Sequence, residues 1–397
     1  MNDVIVVSLQ SLTASSSAGG GKLTFQLANH LHKAGRLNAL IVSSKGKFTT
    51  QFPSKPVSVL SRFYLRLLNG FLKRGLIKYY RKRFIEELVF DFFLQFQISQ
   101  ECKILISINP YLPRTLQKCK RMGITTVFIP TNPEENEINE RLAQARKKWD
   151  VKTYETDAYT YKPRLQVYND VVNRFDKLIA YTSVIENTFK KRHISKTIIP
   201  CLSLSWAMQP VTTKQGSVES TVFKVVYLAH TVLLKGLQDL LQAWSSLDRS
   251  GPAHAAKAEL HIGGVIDEVV QGIIRNKFQS LSNVFYHGHI NNVNEFIDGA
   301  SLLVCPSLLD AGPATPLEAA ANKIPSLLTV SCGAIDVFQD KVSALFVPAA
   351  DPEKLAEALN ACLHKKYDLK RMGIAASDAL GDQDLQKFIQ RLATLAT

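Results

Sequence analysis

Leu302-Leu303-Val304-Cys305-Pro306-Ser307-Leu308-Leu309-Asp310-Ala311-Gly312-Pro313-Ala314-Thr315-Pro316-Leu317-Glu318-Ala319-Ala320 contains a strand, a loop and a helix start in one short run. Four uncharged residues, Leu302 to Cys305, suit a strand buried on both faces. Gly312 and Pro313 break the chain into a loop, and Thr315-Pro316-x-Glu318 opens a helix. Repeated strand–loop–helix units build a parallel sheet with crossover helices. The unit recurs on both sides. Downstream, Ser326–Thr329 and Ala344–Val347 read as strands. Asp351-Pro352 then caps a helix carrying Leu355, Ala358, Leu359 and Cys362 at helical spacing. Upstream, Lys224–Ala229, Glu259–Ile262 and Val284–His287 read as strands, with a first crossover helix marked by Leu237, Leu240, Leu241 and Trp244.

The first half repeats the pattern, with strands expected at Val4–Leu9, Leu37–Ser43, Lys103–Ile108, Thr126–Ile129 and Lys177–Tyr181. Its first helix carries Leu23, Leu27 and Leu31 and stops at Gly35, a left-handed cap. The polar stretch 209–220, with Pro210, two Thr and Gly216, reads as a linker. The expected architecture is α/β: two tandem doubly wound, Rossmann-like domains, 1–208 and 221–397, facing a central cleft. The last helix is a candidate to pack back on the first domain.

At 397 residues, 46% hydrophobic and 21% charged, the chain is neither a disordered tail nor a coiled-coil rod. No stretch reaches the ~20 apolar residues of a membrane span. The start, Met1-Asn2-Asp3 before Val4, lacks the basic region of a signal peptide. Six scattered cysteines without a Cys-x-x-Cys pair fit a reducing cytoplasm rather than a disulfide or zinc scaffold. The expected location is therefore cytoplasmic, with no metal.

The charge is lopsided. Residues 1–200 carry 32 Lys+Arg against 15 Asp+Glu, whereas residues 201–397 carry 16 against 19. The surplus points to an anionic partner met by the first half. Arg62, Arg66, Lys73, Arg74, Lys78, Arg81, Lys82 and Arg83 form the densest run, with no acid until Glu86 and with Phe, Tyr and Leu between them. That mixture suits a helical hairpin lying on an anionic bilayer, or a basic solvated face over ordinary core leucines. Nucleic acid is not expected, because no recognition module accompanies the charge.

Two motifs stand at strand ends. Ser15-Ser16-Ser17-Ala18-Gly19-Gly20-Gly21-Lys22 lacks the residues that define a phosphate-binding P-loop or a dinucleotide fingerprint. It remains a glycine-rich loop before a helix N-terminus, able to receive an anion or a sugar hydroxyl, or a plain turn. In the opening stretch, Asp310 and Glu318 are separated by seven residues. Glu318 either accepts from vicinal hydroxyls of a ribose or closes a capping box with Thr315. Glu134-Glu135-x-Glu137 reads as a solvated helix start, and His254, His261, His287 and His364 as packing or surface residues.

The stretch from about Lys224 to Leu363 resembles the C-terminal domain of group 1 (family 4) glycosyltransferases, retaining enzymes with the GT-B fold. Their Glu-x7-Glu motif stands here as Asp310-x7-Glu318. Similar features are Tyr227-Leu228-Ala229-His230, Lys235-Gly236-Leu237, Ala243-Trp244, His261-Ile262-Gly263-Gly264, Val284-Phe285-Tyr286-His287-Gly288 and Ser331-Cys332-Gly333-Ala334-Ile335-Asp336. In the first half the likeness is thinner, resting on the glycine-rich loop and Phe175-Asp176-Lys177-Leu178-Ile179-Ala180-Tyr181-Thr182-Ser183.

The resemblance implies that Glu318 binds the donor ribose and Asp310 the transferred sugar, while Lys235 and the backbone of Gly312, Pro313, Ala314 and Thr315 hold the diphosphate. Gly288, His289 and Ile290 would border the nucleobase, and Gly19, Gly20 and Gly21 would close over phosphate or acceptor. No cofactor is implied beyond a nucleotide diphosphate sugar as co-substrate. Where the family usually has a second cation, this chain has His230 and Leu234; Asp310 replaces a glutamate, and Pro313 an aromatic. No histidine lies between His32 and His193, leaving Asn109 or Asn132 for the family's N-terminal histidine role. The function implied is retaining sugar transfer to a glycan or lipid-linked acceptor, peripheral on the inner membrane face. The alternative is a binding or scaffold protein that has lost turnover.

Overall fold

In a computed structural model the described residues are 2–12, 19–45, 49–152, 159–193, 197–204, 222–247 and 258–397. They form two compact α/β units, each around an all-parallel sheet.

The first unit comprises residues 1–139, 153–202 and 385–397. Its strands are β1 (Val4–Ser8), β2 (Leu37–Val42), β3 (Ser54–Pro56), β4 (Ile104–Ser107), β5 (Thr125–Phe128), β6 (Lys177–Ala180) and β7 (Ile198–Pro200). They lie in the order β3-β2-β1-β4-β5-β6-β7. β1 and β4 are buried at every position, as expected of strands covered by helices on both faces. The helices are α1 (Gly19–Lys33), α2 (Ser61–Lys73), α3 (Tyr79–Leu94), α4 (Pro113–Met122), α5 (Glu135–Lys148), α6 (Lys162–Val171) and α7 (Ser183–Lys191). α1 ends as expected: Gly35 takes φ 66°, and Arg36 N donates to Leu31 O at 2.9 Å.

The second unit comprises residues 140–152 and 203–384. Lys148 Nζ on the later part of α5 meets Asp239 Oδ1 at 2.5 Å, and Trp149 packs edge-on against Phe278. Its strands are β8 (Phe223–Leu228), β9 (Ala258–Gly263), β10 (Val284–Gly288), β11 (Leu302–Cys305), β12 (Ser326–Thr329) and β13 (Ala344–Val347), ordered β10-β9-β8-β11-β12-β13. Its helices are α8 (Leu237–Ser245), α9 (Glu268–Lys277), α10 (Val293–Ile297), α11 (Thr315–Ala321), α12 (Pro352–Leu363) and α13 (Leu369–Ala379). Asp351 caps α12, accepting from Lys354 N at 2.9 Å. The last helix, α14 (Leu385–Ala396), belongs to the first unit, where it packs on α1 and β6. The expected linker, 209–220, lies outside the described residues.

Three sequence expectations are corrected. Gly19, Gly20 and Gly21 are the first turn of α1 rather than a loop before it; Ser15 to Ala18 lie outside the described residues. A Cβ on Gly20 would stand 2.7 Å from Ile108 Cδ1 and 2.9 Å from Thr131 Cγ2, so α1 starts hard against the ends of β4 and β5 because these residues are glycine. Second, Glu134, Glu135 and Glu137 are buried, not solvated. Glu134 Oε2 accepts from Glu137 N at 2.9 Å, and Glu137 pairs with Lys191 at 2.6 Å. Third, Lys82 and Arg83 do not belong to an exposed basic face. Lys82 is buried and bonded to Glu86 at 2.7 Å, and Arg83 Nε donates to Glu87 at 3.3 Å. Arg66, Lys73, Arg74, Lys78 and Arg81 are exposed; the Arg62 side chain lies outside the described residues.

Candidate functional site

In the second sheet the strand order reverses between β8 and β11. Loops leaving the carboxyl ends of two such neighbours diverge to opposite faces and leave a crevice for a ligand. Both parts of the expected site leave from there. After β8 the chain passes the exposed His230 and makes a short 3-10 turn, Leu233–Lys235, that ends in Gly236 at φ 72°. A Cβ on Gly236 would sit 1.9 Å from Pro306 O, so only glycine lets this loop rest on the end of β11. Leu308 N donates to Leu234 O at 2.8 Å and locks the two loops together.

The result is a contact between residues 75 apart: Lys235 Nζ lies 2.5 Å from Asp310 Oδ2. Asp310 is held from all sides. Gly312 N donates to Oδ1 at 3.2 Å and Ser307 Oγ to Oδ2 at 3.4 Å; its backbone bridges to Ser331 and Gly333. Ser307, which the motif reading passed over, is itself fixed by Thr329 Oγ1 donating to its carbonyl. Burial works against the Lys235 ammonium, but the Asp310 carboxylate beside it more than compensates, so Lys235 keeps its proton more tightly than an ordinary lysine. It remains partly exposed, with N–H groups left over for a second anion.

The capping-box reading of Glu318 fails. The N-cap of α11 is Ala314, not Thr315, and no side chain caps it. Among the described residues the Glu318 carboxylate has no hydrogen-bond or ion-pair partner, and burial alone pushes its pKa up. A carboxyl whose pKa is raised on folding favours the native state below its unfolded pKa, and that advantage is lost as pH rises through the folded value. Glu318→Gln is therefore expected to raise the Tm of the ligand-free protein by a few degrees at pH 8, with the gain vanishing near pH 4. An unchanged Tm at pH 8 would mean that the carboxylate is already satisfied.

The loop before α11 offers fewer amides than the resemblance implied. Gly312 N is taken by Asp310, and Pro313 has no N–H. Ala314 and Thr315 N–H remain without acceptors among the described residues. Gly288, His289 and Ile290 sit at the ends of β9 and β10, where Gly264 N donates to Gly288 O at 2.6 Å. Gly263, lacking a Cβ, leaves room for Ile290 and Phe296. In the first sheet the order reverses between β1 and β4, which places the start of α1 and Asn109 at the corresponding point there. Asn109 is buried, and among the described residues its Nδ2 has no partner. Among the described residues no group of His, Cys, Asp and Glu is arranged to hold a metal. His261 and His287 stack and touch at 3.0 Å on the exposed side of β9 and β10.

The fold is of the GT-B type, two Rossmann-like units, and the second carries a lysine–carboxylate pair at its switch point. Residues 210–378 match the family glycosyl transferases group 1. Structurally, the chain is similar to HepE from Anabaena in complex with UDP and glucose, at TM-score 0.60 and 13% identity over 100% of this chain and 99% of that one. It is similar to trehalose-6-phosphate synthase OtsA at TM-score 0.62 and 16% identity, covering 99% and 98%. It is also similar to WaaG, a glycosyltransferase involved in lipopolysaccharide biosynthesis, at TM-score 0.60 and 15% identity, covering 99% of each chain. No curated protein sequence matches it.

Proposed function

We propose that the protein is a retaining glycosyltransferase that moves a sugar from a nucleotide diphosphate sugar to a glycan or lipid-linked acceptor at the cytoplasmic membrane face. The observation that carries the donor reading is the pairing of Lys235 with Asp310 at the switch point, with the Glu318 carboxylate in the first turn of the helix that follows and used by no cap. Breaking the bond between the sugar's anomeric carbon and the phosphate oxygen leaves negative charge on the diphosphate. The Lys235 ammonium and the Ala314 and Thr315 amides are fixed donors for that charge, the arrangement that lowers such a barrier most. Asp310 then accepts from sugar hydroxyls and Glu318 from the ribose. The acceptor oxygen bonds to the anomeric carbon on the face the phosphate leaves, and its proton passes to the departing phosphate. UDP is the first nucleotide to test, since HepE was solved with UDP and with UDP-glucose. The membrane side is supported by the five exposed cations of 66–81.

Thermal shift against a panel of nucleotide sugars, followed by assay of released nucleotide, tests the reading. A cognate donor at 100 times its Kd is expected to add about 2.7 kcal/mol of apparent stability. If no nucleotide or nucleotide sugar moves the Tm, the donor assignment is wrong. His230 and Leu234, where a second cation is usual, favour the non-catalytic alternative. Binding without nucleotide release in the presence of acceptor extract would establish it.

A further inference from the structure

The hairpin of α2 and α3 turns at Gly75, φ 70°, where Leu76 N donates to Phe71 O at 2.9 Å. Phe71, Leu76, Ile77, Phe84, Ile85 and Tyr161 surround a cavity of about 750 Å³, with Tyr80 and Phe84 each packed against the Tyr161 ring. Lys78 and Arg81 also line it and are exposed. The nearest acid along the chain, Glu86, is bonded to Lys82. From Leu60, just before α2, to the cavity wall runs an apolar stripe turned to solvent: Leu60 is 64% exposed, Phe63 66%, Leu67 43% and Phe71 41%. Leu76, in the turn, is 70% exposed.

These features select one kind of ligand. The volume is that of a small-molecule pocket, and its walls are aliphatic and aromatic. A nucleotide's ribose is commonly held by a carboxylate, and among the described residues none lines the cavity. A cationic rim over an apolar interior complements a molecule with one anionic head and one hydrocarbon tail. We propose that this cavity seats the chain of a single-chain lipid phosphate, with Lys78 and Arg81 holding its phosphate. The stripe Leu60–Phe71 lies on the same hairpin, so a chain can enter from a bilayer that the stripe touches, with its head at the level of the lipid head groups. The inference rests on the membrane-side reading above.

Farnesyl phosphate below its micellar concentration, titrated calorimetrically into the full chain, tests it. Saturable binding of one molecule per chain is expected. Ile85→Trp, which fills the cavity, should abolish binding, and Lys78→Glu with Arg81→Glu should weaken it at least tenfold. Phe63→Ser with Leu67→Ser should leave farnesyl phosphate binding intact while releasing the protein from phosphatidylglycerol vesicles. If the melting curve shows Ile85→Trp to be unfolded, Leu76→Trp at the exposed turn replaces it. Absence of saturable binding, or binding that both tryptophan variants retain, overturns the pocket. Wild type that sediments with vesicles but ignores farnesyl phosphate loses the pocket and keeps the membrane reading; wild type that does neither loses both. The nucleotide-sugar thermal shift, unchanged in every variant, keeps the donor site out of the comparison.

Discussion

Lys235→Ala is expected to lower kcat/KM for sugar transfer by about a hundred- to a thousand-fold, the usual cost of removing one fixed donor from a developing negative charge. The loss should fall mainly on kcat, because the charge on the diphosphate grows as the bond to the sugar breaks. The same substitution also strips Asp310 of its partner at 2.5 Å, so a fall in stability must be separated from a fall in catalysis. Asp310 keeps bonds from Gly312 N and Ser307 Oγ, which limits the damage. Lys235→Ala combined with Asp310→Asn should recover most of the lost Tm, since no unpaired carboxylate is left, but none of the lost activity. Lys235→Arg keeps a cation and should fall between wild type and Lys235→Ala. A Lys235→Ala protein that releases nucleotide at the wild-type rate would remove Lys235 from the chemistry.

The strands were legible because they are short aliphatic runs buried on both faces, a pattern little else produces. Eleven were expected, and each has its counterpart within a residue or two. The two that escaped, Ser54-Lys55-Pro56 and Ile198-Ile199-Pro200, are three-residue edge strands ending in proline. An edge tolerates proline because one side of the strand needs no ladder bond. Asp310, Glu318 and Lys235 could each be picked out by type and spacing, but nothing local says that Lys235 touches Asp310. That contact follows from β8 and β11 being neighbours, which the strand order sets. The α11 cap shows the opposite failure: Thr315 and Glu318 have the spacing of a capping box, yet the N-cap falls one residue earlier, at Ala314, and leaves the carboxylate unspent. The basic run failed in part for the same reason. A cation at i and an acid at i+4 pair on a helix, so Glu86 and Glu87 draw Lys82 and Arg83 out of the exposed patch.

The acid run Glu134-Glu135-x-Glu137 was misread because its partners lie far along the chain: Arg164, 29 residues on, for Glu135, and Lys191, 54 residues on, for Glu137. Arg164 is about 1% exposed, with Nε 2.8 Å from Glu87 Oε2 and Nη1 2.8 Å from Glu135 Oε2; Tyr111 donates to the same Glu135 oxygen, and its ring faces the guanidinium at 4.0 Å. One arginine thus ties together α3, the start of α5, α6 and the approach to α4. Burial works against its charge, but Glu135 and Glu87 hold its proton tightly. Burial pushes the Glu135 carboxyl up, and Arg164 opposes it. Replacing Arg164 with methionine leaves the buried Glu135 carboxylate without its cation and Glu87 with Arg83 alone, and breaking such a set from one side costs about 3–5 kcal/mol. The pH dependence has a definite sign. Without Arg164 to oppose the burial that raises it, the Glu135 carboxyl titrates at higher pH in the folded chain than in the unfolded one, so the variant regains stability as Glu135 takes up its proton below neutrality and loses it as pH rises. Denaturant unfolding of Arg164→Met should therefore show a larger deficit at pH 8 than at pH 5, and adding Glu135→Gln should abolish that difference. An equal deficit at both pH values would mean that lost packing against Tyr111, and not unpaired charge, is what the arginine prevents.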